Sequence, residues 1–117
     1  MTLGSQAKRI LFVCTANQHR SRTAEDLYRS NPRFEVRSAG TDASEVYPDE
    51  RPLTEEDTAW ADVIFVMERY HARFIEEHFP GAARKVVVLN IPDIYYRGDP
   101  RLVQLLRARL APYIGSP

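Results

Sequence analysis

Hydrophobic and polar positions fall into blocks along this chain. KRILFVC (Lys8 to Cys14) is a nearly unbroken apolar run rich in β-branched and aromatic residues, as expected of a strand covered on both faces. From Ser21 the spacing changes. Ala24, Leu27 and Tyr28 follow the i, i+3, i+4 rule of a helix with one buried side, and Asn31 before Pro32 sets its end. FEVRSAG (Phe34 to Gly40) alternates apolar with polar and stops at a glycine, a second strand. Residues 41–53 carry two prolines and four acids without periodicity and read as a surface loop. LTEEDTAW (Leu53 to Trp60) predicts a short helix, with Thr54 as cap and Asp57 three positions on. DVIFVM (Asp62 to Met67) predicts a third strand, and ERYHARFIEEHF (Glu68 to Phe79) a helix with Tyr70, Phe74, Ile75 and Phe79 along one face. KVVVL (Lys85 to Leu89) is the fourth strand. Asp99 then caps a last helix with Pro100 at its first position and an apolar stripe of Leu102, Val103, Leu105, Leu106 and Leu110.

Strands and helices alternate with short links, so the expected fold is α/β: a four-stranded parallel sheet flanked by helices on both faces. The 117 residues suit one domain spanning 1–117, with residues 1–7 disordered or flexible. In such sheets ligands bind beyond the carboxyl ends of the strands where strand order reverses, commonly beside the first strand. Cys14 ends that strand.

Composition narrows the chemistry. The 16 Lys+Arg balance 16 Asp+Glu, so no global field draws the chain to nucleic acid or an anionic membrane, and any anion selectivity is local. The single Cys excludes an internal disulfide and a Cys-rich metal site, and the three His lack ligand spacing. No apolar run approaches the roughly 18 residues of a membrane span, and the N-terminus lacks a signal-like stretch. A cytoplasmic protein with no metal or organic cofactor is expected.

The stretch CTANQHRS (Cys14 to Ser21) links a strand to a helix start. Backbone amides of such a link lack ladder partners, and with the positive end of the helix dipole they form an anion site. Arg20 adds a planar fork for two phosphate oxygens. The same field stabilises a thiolate at Cys14, which makes it a nucleophile.

This stretch closely resembles the signature of the low-molecular-weight protein tyrosine phosphatases, in which Cys-x5-Arg-Ser follows the first strand and Asn stands three residues after the Cys. SAGT (Ser38 to Thr41), the Met-acid end of LTEEDTAWADVIFVMER, and IPDIYY (Ile91 to Tyr96) extend the likeness over nearly the whole chain. A short bacterial-type member with a flavodoxin-like or Rossmann-like three-layer fold is implied. The resemblance implies hydrolysis of phosphotyrosine or other aryl phosphates through a cysteinyl-phosphate. Cys14 is then the nucleophile, Arg20 the group that binds substrate and transition state, and Ser21 the donor that helps the sulfur leave. Asn17 shapes the loop with support from Ser38, while Thr15, Ala16, Gln18 and His19 contribute backbone amides. Inorganic phosphate or sulfate is the expected small ligand.

A carboxylic acid must protonate the departing phenolate. The family's Asp-Pro-aromatic-Tyr stretch puts Asp93 in that role, with Ile94 in place of the proline. Tyr95 and Tyr96 would form an aromatic wall for the substrate ring. Asp99 keeps an Asp-Pro pair and is the second candidate, although N-capping explains it. The stretch from Thr41 to Pro52 is shorter than in typical members, which bears on selectivity. Two rivals remain open: an arsenate reductase dependent on an external thiol, and a phosphate- or phosphopeptide-binding module without turnover.

Overall fold

The computed structural model describes residues 7–44 and 50–117; the expectations for residues 1–6 and for the middle of the 41–53 loop fall outside these. In chain order the elements are β1 (Lys8–Cys14), α1 (Arg20–Tyr28), β2 (Phe34–Gly40), α2 (Glu55–Trp60), β3 (Val63–Val66) and α3 (Arg69–His78). A 3-10 segment (Pro80–Lys85), β4 (Val86–Val88) and α4 (Pro100–Ile114) follow. The strands pair in parallel in the order β2-β1-β3-β4. From β2 the chain returns past β1 to β3, so strand order reverses between the carboxyl ends of β1 and β3. Cys14 and Met67 lie on either side of that crevice.

The unbroken apolar run of β1 is explained by its two covered faces. Ile10, Phe12 and Cys14 join Phe65 and Met67 under Ala24 and Tyr28 of α1 and Leu102, Leu106 and Leu110 of α4. Leu11 and Val13 point the other way and meet Ile64, Val66, Ala72 and Ile75. Strand period two therefore splits one sequence block between two cores.

Local signals set the helix ends. Thr54 and Asp57 form the reciprocal capping box at α2, Thr54 Oγ1 accepting from the Asp57 amide at 3.2 Å. Asp99 caps α4, accepting from the Arg101 amide at 2.9 Å, with Pro100 next. In α3 the buried residues are His71, Ala72 and Ile75. Tyr70, expected on the apolar face, is 48% exposed. The helix turns its His71 inward because that imidazole finds polar partners in the crevice. No helix among the described residues is long and apolar enough to cross a membrane.

Candidate active site

Cys14 (3% exposed) and Arg20 (1% exposed) bracket a tight turn at the switch point. With Thr15, Ala16, Gln18, His19 and Asp93 they line a cleft of ≈ 110 Å³. The first turn of α1 presents amides that have no intrahelical acceptor, and the dipole adds positive potential at the same place. Asn17 bends the turn in the left-handed region, φ 58°, which Asn tolerates better than most residues.

One hydrogen-bond chain orients the turn. The Asn17 amide nitrogen donates to Ser21 Oγ at 2.9 Å and to Ser38 Oγ at 3.0 Å. Ser38 donates to the buried Glu25 carboxylate at 2.7 Å, and Arg51 Nη2 grips both oxygens of that carboxylate at 2.7 and 3.0 Å. Asn17 Oδ1 in turn accepts from the Arg51 amide at 3.0 Å. With both Asn17 protons placed, Ser21 Oγ accepts one of them and lies in hydrogen-bond contact with Cys14 Sγ at 2.9 Å. A buried network in which each member is satisfied fixes one arrangement.

Gly40 pairs with Cys14 across the sheet and lets the turn approach β2. A Cβ there would meet the Thr15 carbonyl oxygen, the Asn17 nitrogen at 2.9 Å and the Ala16 carbonyl carbon at 3.0 Å. Only glycine fits this close backbone contact.

Arg20 is aimed from its far edge. Its Nη1 donates to Glu68 at 2.6 Å and to the Ile91 carbonyl at 2.8 Å. Nε and Nη2 are left toward the cleft, Nε 3.7 Å from Asp93 and Nη2 3.5 Å from Thr15 Oγ1. Burial works against the Arg20 charge, but hydrogen bonding to Tyr70 and Glu68 outweighs it and holds its pKa above the usual value. Burial likewise opposes the Glu68 carboxylate, yet the Arg20 and Tyr70 hydrogen bonds leave it below the ordinary range.

His71 completes the floor. Its Nδ1 accepts from the Glu68 amide at 3.0 Å, so Nε2 carries the proton and donates to Thr15 Oγ1 at 2.9 Å. Tyr70 bonds the same hydroxyl at 2.8 Å. Burial first, then the neighbouring Arg20 charge, lowers the His71 pKa to about 4.

The expected site residues thus divide. Cys14, Thr15, Ala16, Gln18, His19, Arg20 and Asp93 share the cleft. Ser21, Asn17 and Ser38 stand behind it. Tyr95 and Tyr96 part company: Tyr95 packs against the α1/α4 core with the Arg101 guanidinium 5.6 Å from its ring. Tyr96 is 76% exposed and meets the His19 ring edge-on at 5.6 Å. Asp99 is held by Arg101 at 2.9 Å, which lowers its pKa, and does not line the cleft. Across the shortened stretch Gln18 donates to Glu50 at 2.8 Å, and Glu50 also accepts from the Ser44 amide at 2.8 Å.

Gly40, Glu25, Arg51, Glu68, Tyr70 and His71 also build this site, beyond the residues that the turn motif points to. A glycine ending a strand and an acid at the end of β3 were the available signals. The others depend on contacts between distant segments.

A parallel sheet with a Cys-x5-Arg turn at its switch point, opposite an aspartate, defines a phosphatase of the cysteine-dependent class. A family model of low molecular weight phosphotyrosine protein phosphatases matches residues 9–51. Among solved structures, the arginine phosphatase YwlE from Geobacillus stearothermophilus is 30% identical, TM-score 0.69, covering 90% of this chain and 91% of that one. The tyrosine phosphatase Wzb from Escherichia coli K30, in complex with phosphate, is 26% identical, TM-score 0.72, covering 89% and 94%. Vibrio vulnificus Wzb in complex with benzylphosphonate is 25% identical, TM-score 0.73, covering 92% and 97%. A comparison with curated protein sequences finds no match. The chain belongs to the low molecular weight phosphotyrosine protein phosphatase family.

Proposed function

We propose that the protein hydrolyses aryl phosphate monoesters, phosphotyrosine among them, through a phosphocysteine at Cys14. The convergence of Cys14, Arg20 and Asp93 on one phosphate-sized cleft carries this reading. Ser21 Oγ, 2.9 Å from Sγ, is placed to donate its proton to the sulfur when the sulfur carries charge.

The thiolate attacks phosphorus while the bond to the aryl oxygen breaks. Asp93 gives its proton to that oxygen, so the leaving group departs as a phenol. Arg20, with Nη1 occupied, grips two equatorial oxygens through Nε and Nη2, and the turn amides take the rest of the developing charge. Water then attacks the phosphocysteine, Asp93 takes its proton, and the S–P bond breaks to return thiolate and inorganic phosphate. Ser21 stabilises the sulfur at both steps. Tyr96, beside His19 at the mouth, is the residue placed to flank an aromatic leaving group.

The named arginine phosphatase among the similar structures makes phosphoarginine the competing substrate. Hydrolysis of p-nitrophenyl phosphate, a phosphotyrosine peptide and a phosphoarginine peptide, each with wild type and Cys14→Ser, tests the reading. The expected result is turnover of the first two and a trapped phosphoprotein on rapid quench with wild type, and no turnover with Cys14→Ser. Turnover confined to the phosphoarginine peptide, or full activity without the thiol, would overturn it.

A further inference from the structure

Beside the phosphate cleft runs an open groove of ≈ 430 Å³ lined by Glu68, Arg69, Tyr70, Arg73, Asn90 and Pro92. The partition between the two is thin. Tyr70 touches Thr15 at 2.8 Å, Glu68 reaches Arg20 at 2.6 Å, and Pro92 directly precedes Asp93. A cleft of ≈ 110 Å³ holds a phosphoryl group and little else, so the remainder of a macromolecular substrate lies on the adjoining surface.

Arg69 and Arg73 stand exposed one turn apart on α3, and neither makes an ion pair or hydrogen bond with a described residue. Like charges at i, i+4 repel, and both lie in the first half of a helix whose amino end is already positive. Glu76 and Glu77 follow Arg73 at i+3 and i+4 on the same helix without forming an ion pair with it, so among the described residues neither guanidinium has a carboxylate in contact. Glu68, the one carboxylate in the groove lining, is committed to Arg20 and does not neutralise them.

We propose that this groove is the subsite for acidic side chains flanking the phosphorylated residue of a protein substrate. Arg69 and Arg73 each take one carboxylate while the phosphoryl group sits over Cys14. Four helical residues advance about 6 Å, close to the roughly 6.7 Å between alternate residues of an extended peptide, so acids at alternate positions match the pair. The proposal rests on the phosphatase reading of the neighbouring cleft.

The test compares phosphotyrosine peptides carrying two glutamates at alternate positions, on either side of the phosphoresidue, with the same peptides carrying glutamines. Wild type is expected to favour one glutamate peptide roughly five- to twentyfold in kcat/KM at low salt, the preference fading as salt screens it. Arg69→Gln/Arg73→Gln is expected to abolish the preference, with turnover of the glutamine peptide and of p-nitrophenyl phosphate unchanged. The proposal falls if wild type shows no preference, if the double variant keeps it, or if that variant slows all substrates alike. Binding of the same peptides to Cys14→Ser, by fluorescence anisotropy, separates the two readings. An Arg-dependent acidic preference in binding, with no peptide turned over by wild type, sustains the subsite and overturns the phosphatase reading. Turnover without preference does the reverse.

Discussion

Glu68 Oε2 lies 2.6 Å from Arg20 Nη1, tying the residue that caps α3 to the one that opens α1. Arg20 is almost wholly buried, and this contact, with the Ile91 carbonyl, fixes the guanidinium edge that faces away from the cleft. Glu68→Gln replaces a charge-assisted bond with a weaker neutral one and loosens the fork. The expected loss in kcat/KM is roughly 10- to 100-fold, with a matching rise in the inhibition constant for inorganic phosphate. An unchanged phosphate constant would show that Arg20 keeps its aim without Glu68.

The two candidate acids are separated by their surroundings. Asp93 lines the cleft 3.7 Å from Arg20 Nε, whereas Asp99 caps α4 and pairs with Arg101. Asp93→Asn is expected to lower kcat by about 10²–10⁴-fold on phenols of high pKa and much less on p-nitrophenyl phosphate. Asp99→Ala should reduce the melting temperature and leave kcat nearly intact. The reverse pattern, in folded protein, would transfer the role to Asp99.

At Gly40 the backbone of β2 touches that of the turn, so Gly40→Ala forces either the turn or the strand to shift. A destabilisation on the order of 1–3 kcal/mol is expected, as for other overpacked sites. Phosphate should also protect the variant less in a thermal melt than it protects wild type. Equal protection would mean that the turn absorbs the methyl group without losing its shape.

His71 links stability to pH. The unfolded imidazole takes up a proton near 6.5, the folded one only near pH 4, because burial and the Arg20 charge oppose it. Between those values the unfolded chain binds more protons, so stability is complete above pH 6.5 and falls as pH drops toward 4. The full window corresponds to about 3 kcal/mol. Urea midpoints from pH 7.5 to 4 should fall less steeply for His71→Gln than for wild type; equal slopes would assign the acid loss to other groups.

Much of this was legible along the chain. The continuous apolar block of β1, the Thr54 and Asp57 cap and the Asp99–Pro100 start are short-range patterns, and each element stands within a few residues of its expected place. The turn from Cys14 to Ser21 was legible for the same reason, since a strand end, a helix start and the groups between them are contiguous. Tyr70 and His71 were not. Helical periodicity favours the larger, more apolar ring for the core, but the crevice offers His71 a donor and an acceptor, and burying it satisfied costs less than burying it unpaired. The pairing of Tyr95 with Tyr96 failed to carry over for a related reason: adjacent residues in a loop need not share a surroundings, and only Tyr95 reaches the core.

By itself the sequence determined the alternation of strands and helices and the contiguous turn from Cys14 to Ser21, because period and capping act over a few residues. Tertiary structure alone decided what holds that turn: Gly40, Glu25 with Arg51, Glu68 and His71 come from four separate segments. Parallel strand order, a property no local pattern encodes, brings those segments to one crevice, where desolvation makes each hydrogen bond and ion pair count.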